Sequence, residues 1–267
     1  MKPITVVVHG AMGKMGKAVI NAVCQDPELR LVGAVDIKIN GDRLQLPDNS
    51  GSVPLSSDMD SILANQKPDV MVDFSIAQAS IPAIRLAAKQ KVNLVIGTTG
   101  FTPADVEEIK KLVETNEIGA VITSNFTIGA VVMIHIARVA AKYFDNAEII
   151  EFHHNMKIDA PSGTALTTAK AMAEAKGKPF SRPPIEKGEP LKSRGEQTAG
   201  ISIHSVRLPG LLAHQEVIFG TAGQTLTIRH DTIDRECYMP GVILAIKAVT
   251  KRRGLTVGLA PILGLEG

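Results

Sequence analysis

The chain has 267 residues, enough for one large domain or two ordinary ones. Its 45% hydrophobic and 21% charged residues are a soluble, globular balance, and a net charge of +2 without a basic, aromatic-interleaved run argues against nucleic acid as a partner. Two distant cysteines (Cys24 and Cys237), no bilayer-length apolar stretch and an N-terminus without signal-peptide character exclude a disulfide framework and a cysteine metal site, and predict a cytoplasmic protein with no membrane partner.

In chain order, Ile4 to His9 is a short β-branched run, Lys14 to Cys24 has helical periodicity, and Leu31 to Val35 is a second strand. The region from Ile39 to Ser57, polar and rich in Gly, Pro and Asp, reads as a loop. Further strands are expected at Asp69 to Phe74, Asn93 to Ile96 and Gly119 to Thr123, with helices at Gln78 to Gln90 and Pro103 to Thr115 between them. Thr102 is placed to cap the second of these helices, with Pro103 at its first position. Near-continuous apolar strands alternating with helices predict a parallel sheet covered on both faces.

After Asn125 the pattern changes. A long helix is expected over Gly129 to Phe144, a strand over Ala147 to His153, and a helix over Ala165 to Ala175. The stretch from Phe180 to Gly200 is polar and broken by Pro and Gly, and its charged part, Arg182 to Gln197, reads as a flap or an assembly arm. Three strand-like runs follow without intervening helices, Gly200 to Leu208, His214 to Gly220 and Thr225 to His230, so their pairing should be antiparallel or mixed. Met239 to Thr250 is helical again, and Thr256 to Leu259 is a candidate last strand.

Between the first strand and first helix lies Gly10-Ala11-Met12-Gly13-Lys14-Met15-Gly16, a variant of the dinucleotide fingerprint. Such a turn must be tight, must bring backbone close to a pyrophosphate, and must present helix N–H groups to it. Asp36 ends the second strand roughly 20 residues beyond Gly16, the spacing expected of an acid that binds the adenosine ribose hydroxyls. That carboxylate favours NADH, whereas Lys38 suits the extra phosphate of NADPH, so NADH, NADPH or both are expected. Gly97-Thr98-Thr99-Gly100 and Thr123-Ser124-Asn125-Phe126 follow the fourth and fifth strands, at the carboxyl ends where open α/β sheets hold ligands. Thr98 and Thr99 are candidates for the nicotinamide carboxamide or the substrate, and Phe126 for shielding the ring. Ordinary βα-turn composition is the competing explanation of both loops.

The segment from Glu151 to Ala165 carries the densest chemistry: His153, His154, Lys157 and Asp159, then Pro161-Ser162-Gly163-Thr164 at a helix start. Metal ligation is disfavoured, since HExxH-type spacing is missing and Lys157 would repel a divalent ion; no metal is expected. A structural reading pairs the histidines with Glu151 or Asp159 and makes Ser162 a helix cap. A functional reading has the imidazoles and Lys157 act on an anion held at the helix N-terminus, whose free N–H groups and dipole favour negative charge.

Taken in order, Gly10-x-x-Gly13-x-Met15-Gly16, Asp73-Phe74-Ser75, Gly97-Thr-Thr-Gly100, Asn125-Phe126-x-x-Gly129 and Glu151-x-His-His-x-x-Lys157-x-Asp-Ala-Pro-Ser-Gly-Thr-Ala165 resemble the bacterial 4-hydroxy-tetrahydrodipicolinate (dihydrodipicolinate) reductase family. Ser205-Val-Arg207-Leu-Pro-Gly210 and His230-x-x-x-x-Arg235 are similar to it as well, and the likeness spans nearly the whole chain.

The resemblance implies an α/β fold: a Rossmann dinucleotide-binding domain, 1–126 with 237–267, and an inserted α+β substrate and oligomerisation domain with a mixed sheet, 127–236. It implies a homotetramer built through the sheets of the inserted domains. The implied reaction is NAD(P)H-dependent reduction of 4-hydroxy-tetrahydrodipicolinate, a small cyclic dicarboxylate, to tetrahydrodipicolinate with loss of water, on the route to diaminopimelate and lysine. Carried over by position, His153 matches the acid/base residue and Lys157 the proton donor. His154, Ser162, Gly163, Thr164 and Thr99 match substrate-binding positions. Gly10 to Met15, Asp36, Lys38, Gly97 to Thr99 and Thr123 to Phe126 fall at cofactor-binding positions. Another two-domain NAD(P)-dependent amino-acid dehydrogenase would not need the His-His-x-x-Lys motif, and a catalytically silent nucleotide sensor would have lost His153 or Lys157.

Overall fold

The computed structural model describes residues 2–181 and 192–265 and divides the chain into two compact units, Met1–Ile128 with Arg235–Gly267, and Gly129–Asp234. The first ten residues of the excursion's charged part, 182–191, lie outside the described residues.

The chain enters through β1 (Ile4–His9), α1 (Lys14–Gln25) and β2 (Leu29–Val35), a βαβ unit whose strands pair in parallel. Val6, Val7 and Val8 are fully buried, as expected of a strand covered on both faces. Two elements then appear where a loop was expected. β3 (Arg43–Gln45) and β4 (Ser52–Ser56) form a small antiparallel pair, and β4 adds in parallel to β2. Val53 and Leu55 face the interior on either side of Pro54, a period-two pattern too short to stand out amid polar residues. α2 (Met59–Gln66) follows, capped by Asp58, whose carboxylate accepts from Ser61 N.

β5 (Val70–Asp73), α3 (Ala77–Lys89), β6 (Asn93–Ile96), α4 (Pro103–Thr115) and β7 (Gly119–Ile122) continue the alternation. At α4 the capping box is complete: the Thr102 hydroxyl accepts from Asp105 N and the Asp105 carboxylate accepts from Thr102 N.

The second unit starts from α5 (Ile128–Ala141), then β8 (Asn146–His153) and α6 (Gly163–Lys176), followed by four consecutive strands, β9 (Glu196–Thr198), β10 (Ile201–Arg207), β11 (Ala213–Thr221) and β12 (Gln224–Thr232). The sheet order is β12-β11-β8-β10-β9. Pairing is mixed, with β8 parallel to β10 and antiparallel to β11. β9, drawn from the stretch read as a flap or arm, pairs antiparallel at the edge beside β10. Ile149, Ile203, Val217 and Phe219 pack with Ala165, Ala169 and Met172 of α6 into one core.

Finally α7 (Met239–Val249) and β13 (Gly254–Val257) return to the first unit. Its eight-stranded sheet reads β13-β7-β6-β5-β1-β2-β4-β3, parallel throughout except for β3. Chain order reverses between β1 and β5, so the crevice beyond their carboxyl ends is the topological switch point of the fold. No helix among the described residues is long and apolar enough to cross a membrane.

Candidate active site

Strand alternation puts Glu151 and His153 on one face of β8, and Ser205 and Arg207 lie opposite them on β10. Glu151 is fully buried and is the hub of the site. Its Oε2 meets His153 Nδ1 at 2.5 Å and accepts from Arg207 Nη1 at 2.9 Å, while Oε1 accepts from Arg207 Nη2 at 2.7 Å. Oε1 also accepts from the backbone N of Ser162 at 3.2 Å. Burial by itself would raise the pKa of Glu151, but hydrogen bonds from His153, Arg207 and Ser205 outweigh it and hold the pKa at about 2.

An ionised carboxylate only accepts, so His153 carries a proton on Nδ1, and the pairing does not engage Nε2. The structural pairing expected of the histidines is present at His153, with Glu151 as its partner. Lys157 forms the second pair, its Nζ donating to Asp159 Oδ1 at 2.8 Å. That bond holds the Asp159 carboxyl below its ordinary range. His154 is partly exposed, and its carbonyl accepts from Lys157 N at 3.1 Å, closing the turn.

Ser162 is 2% exposed and caps α6, its hydroxyl accepting from Ala165 N at 3.2 Å. The helix proper begins at Gly163, and a Cβ built there meets nothing within 4 Å. Gly163 is exposed and Thr164 half-buried, so the head of α6 opens onto free space, as an anion cradle requires. One carboxylate, Glu151, thus touches both His153 and Ser162, the cap of α6.

In the first unit, Gly10 lies at the switch point with φ +77, and a Cβ on it would stand 2.4 Å from the carbonyl oxygen of Phe74. Only glycine fits. Gly13 N donates to Gly10 O at 3.1 Å, and α1 starts without a side-chain cap, leaving its head to an external anion. Met12 N donates to Asp36 Oδ2 at 2.9 Å, so the proposed ribose acid also braces the loop, and Lys38 N donates to the other carboxylate oxygen at 2.9 Å. A loop without side-chain bulk, an open helix head and an acid beside them fit a dinucleotide.

The remaining candidates are used unequally. Thr98 is buried and its hydroxyl accepts from Ser75 N at 2.8 Å, whereas Thr99 is exposed. Thr123 and Asn125 brace one another through the Thr123 hydroxyl, with Ser124 exposed between them. Phe126 requires a correction: its ring is 1% exposed and packs on Phe74 with centroids 5.7 Å apart. It is core, too deep to shield a nicotinamide.

Glu151 and Arg207 were quoted in the motifs but given no role in the reaction. Their pairing spans 56 residues and becomes visible only once β8 and β10 are in register. Asp73 was passed over in the same way. It is fully buried, receives Ser75 at 2.7 Å and also Ser80, and lies 2.8 Å from His9 Nδ1. Burial opposes its ionisation, and these partners nonetheless keep its pKa below the usual value.

Residues 4–126 match the family described as "Dihydrodipicolinate reductase, N-terminus" and residues 129–263 the family described as "Dihydrodipicolinate reductase, C-terminus". A 4-hydroxy-tetrahydrodipicolinate reductase of Dehalococcoides mccartyi is 57% identical over 265 residues, covering 99% of this chain and all of the relative. That of Moorella thermoacetica is 46% identical over 264 residues, covering 97% and 98%. A dipicolinate-bound dihydrodipicolinate reductase from Paenisporosarcina superposes with a TM-score of 0.86 at 39% identity, over 97% of this chain and 99% of that one. With both halves matched and relatives alike over their full length, the chain belongs to the dihydrodipicolinate reductase family of NAD(P)H-dependent oxidoreductases.

Proposed function

We propose that the chain reduces 4-hydroxy-tetrahydrodipicolinate with NAD(P)H and one proton to tetrahydrodipicolinate, releasing NAD(P)+ and water. The observation that carries this is the double engagement of Glu151, bonded to His153 through one oxygen and to Ser162 through the other. A proton carrier and a carboxylate cradle tied to one buried group suit a substrate that is an acid and is protonated as it reacts.

When bound, the nicotinamide supplies the hydride. The head of α1, the Gly10–Met15 loop, Asp36 with Lys38, and the loops at Gly97–Thr99 and Thr123–Phe126 hold the cofactor. Gly163 and Thr164 receive one substrate carboxylate through backbone N–H groups, with Ser162, His154 and Thr99 completing its contacts. Hydride addition to a ring-conjugated carbon leaves electron density that Lys157 Nζ quenches by giving a proton, and His153 Nε2 exchanges protons as the general acid/base. The dinucleotide-binding domain is 1–126 with 237–267, and the substrate-binding and tetramerisation domain 127–236.

We infer further that the enzyme works in the cytoplasm as a homotetramer. Light scattering should return four times the 28.4 kDa chain mass, and a monomer would overturn the assembly. The activity is tested by following nicotinamide absorbance with the cyclic substrate supplied fresh. Absence of substrate-dependent oxidation with both NADH and NADPH would overturn the reading.

A further inference from the structure

Glu151 is more heavily bonded than a structural carboxylate needs to be. A buried ion pair costs desolvation that its own attraction barely offsets, so an interior held for stability alone is as well served by apolar residues. Here the Arg207 fork meets both oxygens of Glu151 and its two terminal nitrogens go further, Nη2 to Asp159 O at 2.6 Å and Nη1 to Val206 O at 2.8 Å. The arginine thereby ties Glu151 to the segment that carries Lys157 and Asp159, while Glu151 itself reaches His153 and Ser162. Four parts of the site meet at one carboxylate and one guanidinium.

We propose that Glu151, clamped by Arg207, is a positioning residue for the reduction: it fixes His153 with its Nδ1 proton turned inward and anchors the head of α6, keeping acid and cradle in register. Arg207 sets the path of residues 157–161 between them. Neither residue touches substrate in this role. The proposal rests on the reading of His153 as the acid/base.

The two residues separate experimentally. Glu151→Gln keeps the shape and removes the charge that His153 Nδ1 and the Arg207 fork both meet. Turnover should fall between about 10- and 100-fold, the range for losing a partner that orients a functional histidine. KM for substrate should change less than kcat, and Glu151→Asp, which keeps the carboxylate, should recover part of the lost turnover. Arg207→Lys keeps a positive partner but loses the fork, so KM for substrate should rise about tenfold, near one lost charge-assisted bond, with kcat changing less.

Should Glu151→Gln fail to fold, nitrogen-15 NMR of histidine-labelled wild-type enzyme, assigned with His153→Gln, decides the matter. A proton on Nδ1 supports the proposal and a proton on Nε2 alone overturns it. A Glu151→Gln enzyme within twofold of wild-type turnover overturns it too. The acid/base reading fails separately, if His153→Gln itself turns over at the wild-type rate.

Discussion

Lys157 and Asp159 hold each other, Nζ to Oδ1 at 2.8 Å, at the surface end of a turn that Lys157 N closes on His154 O. The ammonium is thus oriented by a neighbour two residues away, and the aspartate side chain is more than half exposed. An exposed pair of this kind contributes little to stability. Lys157→Ala is expected to fold normally and lose turnover by at least about 100-fold, the scale of one proton-transfer group, with a much smaller change in NADH affinity. Stopped-flow reduction alongside cofactor titration measures both. Asp159→Asn should leave turnover within about threefold, since it steers the amine without carrying the proton.

His154 stands apart from its neighbour. The Glu151 pairing belongs to His153, and His154 supplies a carbonyl to the turn and a partly exposed ring. His154→Ala is expected to raise KM about tenfold while kcat changes less, the signature of a binding group. A steady-state series at fixed saturating NADH reads the split.

Gly97 faces the ring of Phe74: a Cβ at position 97 would stand 2.1 Å from Phe74 Cε1. That ring is already packed on Phe126, so it has no easy retreat. Gly97→Ala should cost about 1–3 kcal/mol of stability, the usual penalty of an overpacked core, and weaken cofactor binding through displacement of the loop. Urea unfolding measures the first and fluorescence titration with NADH the second.

Asp36 accepts from the Met12 amide, and we propose that it also binds a ribose hydroxyl of the cofactor. Asp36→Asn retains the acceptor for Met12 and removes the charge. kcat/KM with NADH should fall about tenfold, and the value with NADPH should fall less or rise, because the 2′-phosphate no longer meets a carboxylate. Parallel kinetics with the two cofactors check the prediction, which an equal loss with both would overturn.

Acid stability should carry the imprint of Glu151. Its pKa is about 2 in the folded chain against an ordinary 4.5. A depressed carboxyl stabilises the fold fully above the ordinary value, and the contribution is lost as pH falls from there toward 2. It amounts to about 3 kcal/mol, taking one pKa unit as about 1.4 kcal/mol. Urea midpoints measured between pH 5 and pH 2.5 should fall less steeply in Glu151→Gln than in wild type.

Much of this was legible in the residues. The limits of β1, β6 and α4 agree with the sequence reading because each is a short β-branched run or a capped periodic helix bounded by turn residues. The glycine loop and the head of α6 were visible for the same reason: local steric and capping rules mark them. What escaped depends on partners distant in sequence. β4 exists by adding to β2 and β3 by adding to β4, and β9 is an edge strand placed by β10. α2 announces itself through Asp58, a cap the reading passed over. The motif naming Glu151 could not reveal its partner, because Arg207 arrives from a neighbouring strand 56 residues later. Phe126 misled for the opposite reason: an aromatic beside a ligand loop is as often a wedge beneath it as a wall of the site.

The closing of the large sheet by β13 sets an order on biosynthesis. Residues 129–234 form a unit without interruption, whereas the first unit must wait for 254–257 before β7 gains its outer neighbour. A chain leaving the ribosome therefore finishes its second unit first and holds its first with β7 as an open edge, the kind of strand on which unfinished proteins stick to one another. Chains truncated before Gly254 should coprecipitate with nascent wild-type chains more than full-length ones do, and equal coprecipitation would dismiss the idea. By the same logic, substitutions in the last few strand residues would act as solubility mutations during synthesis.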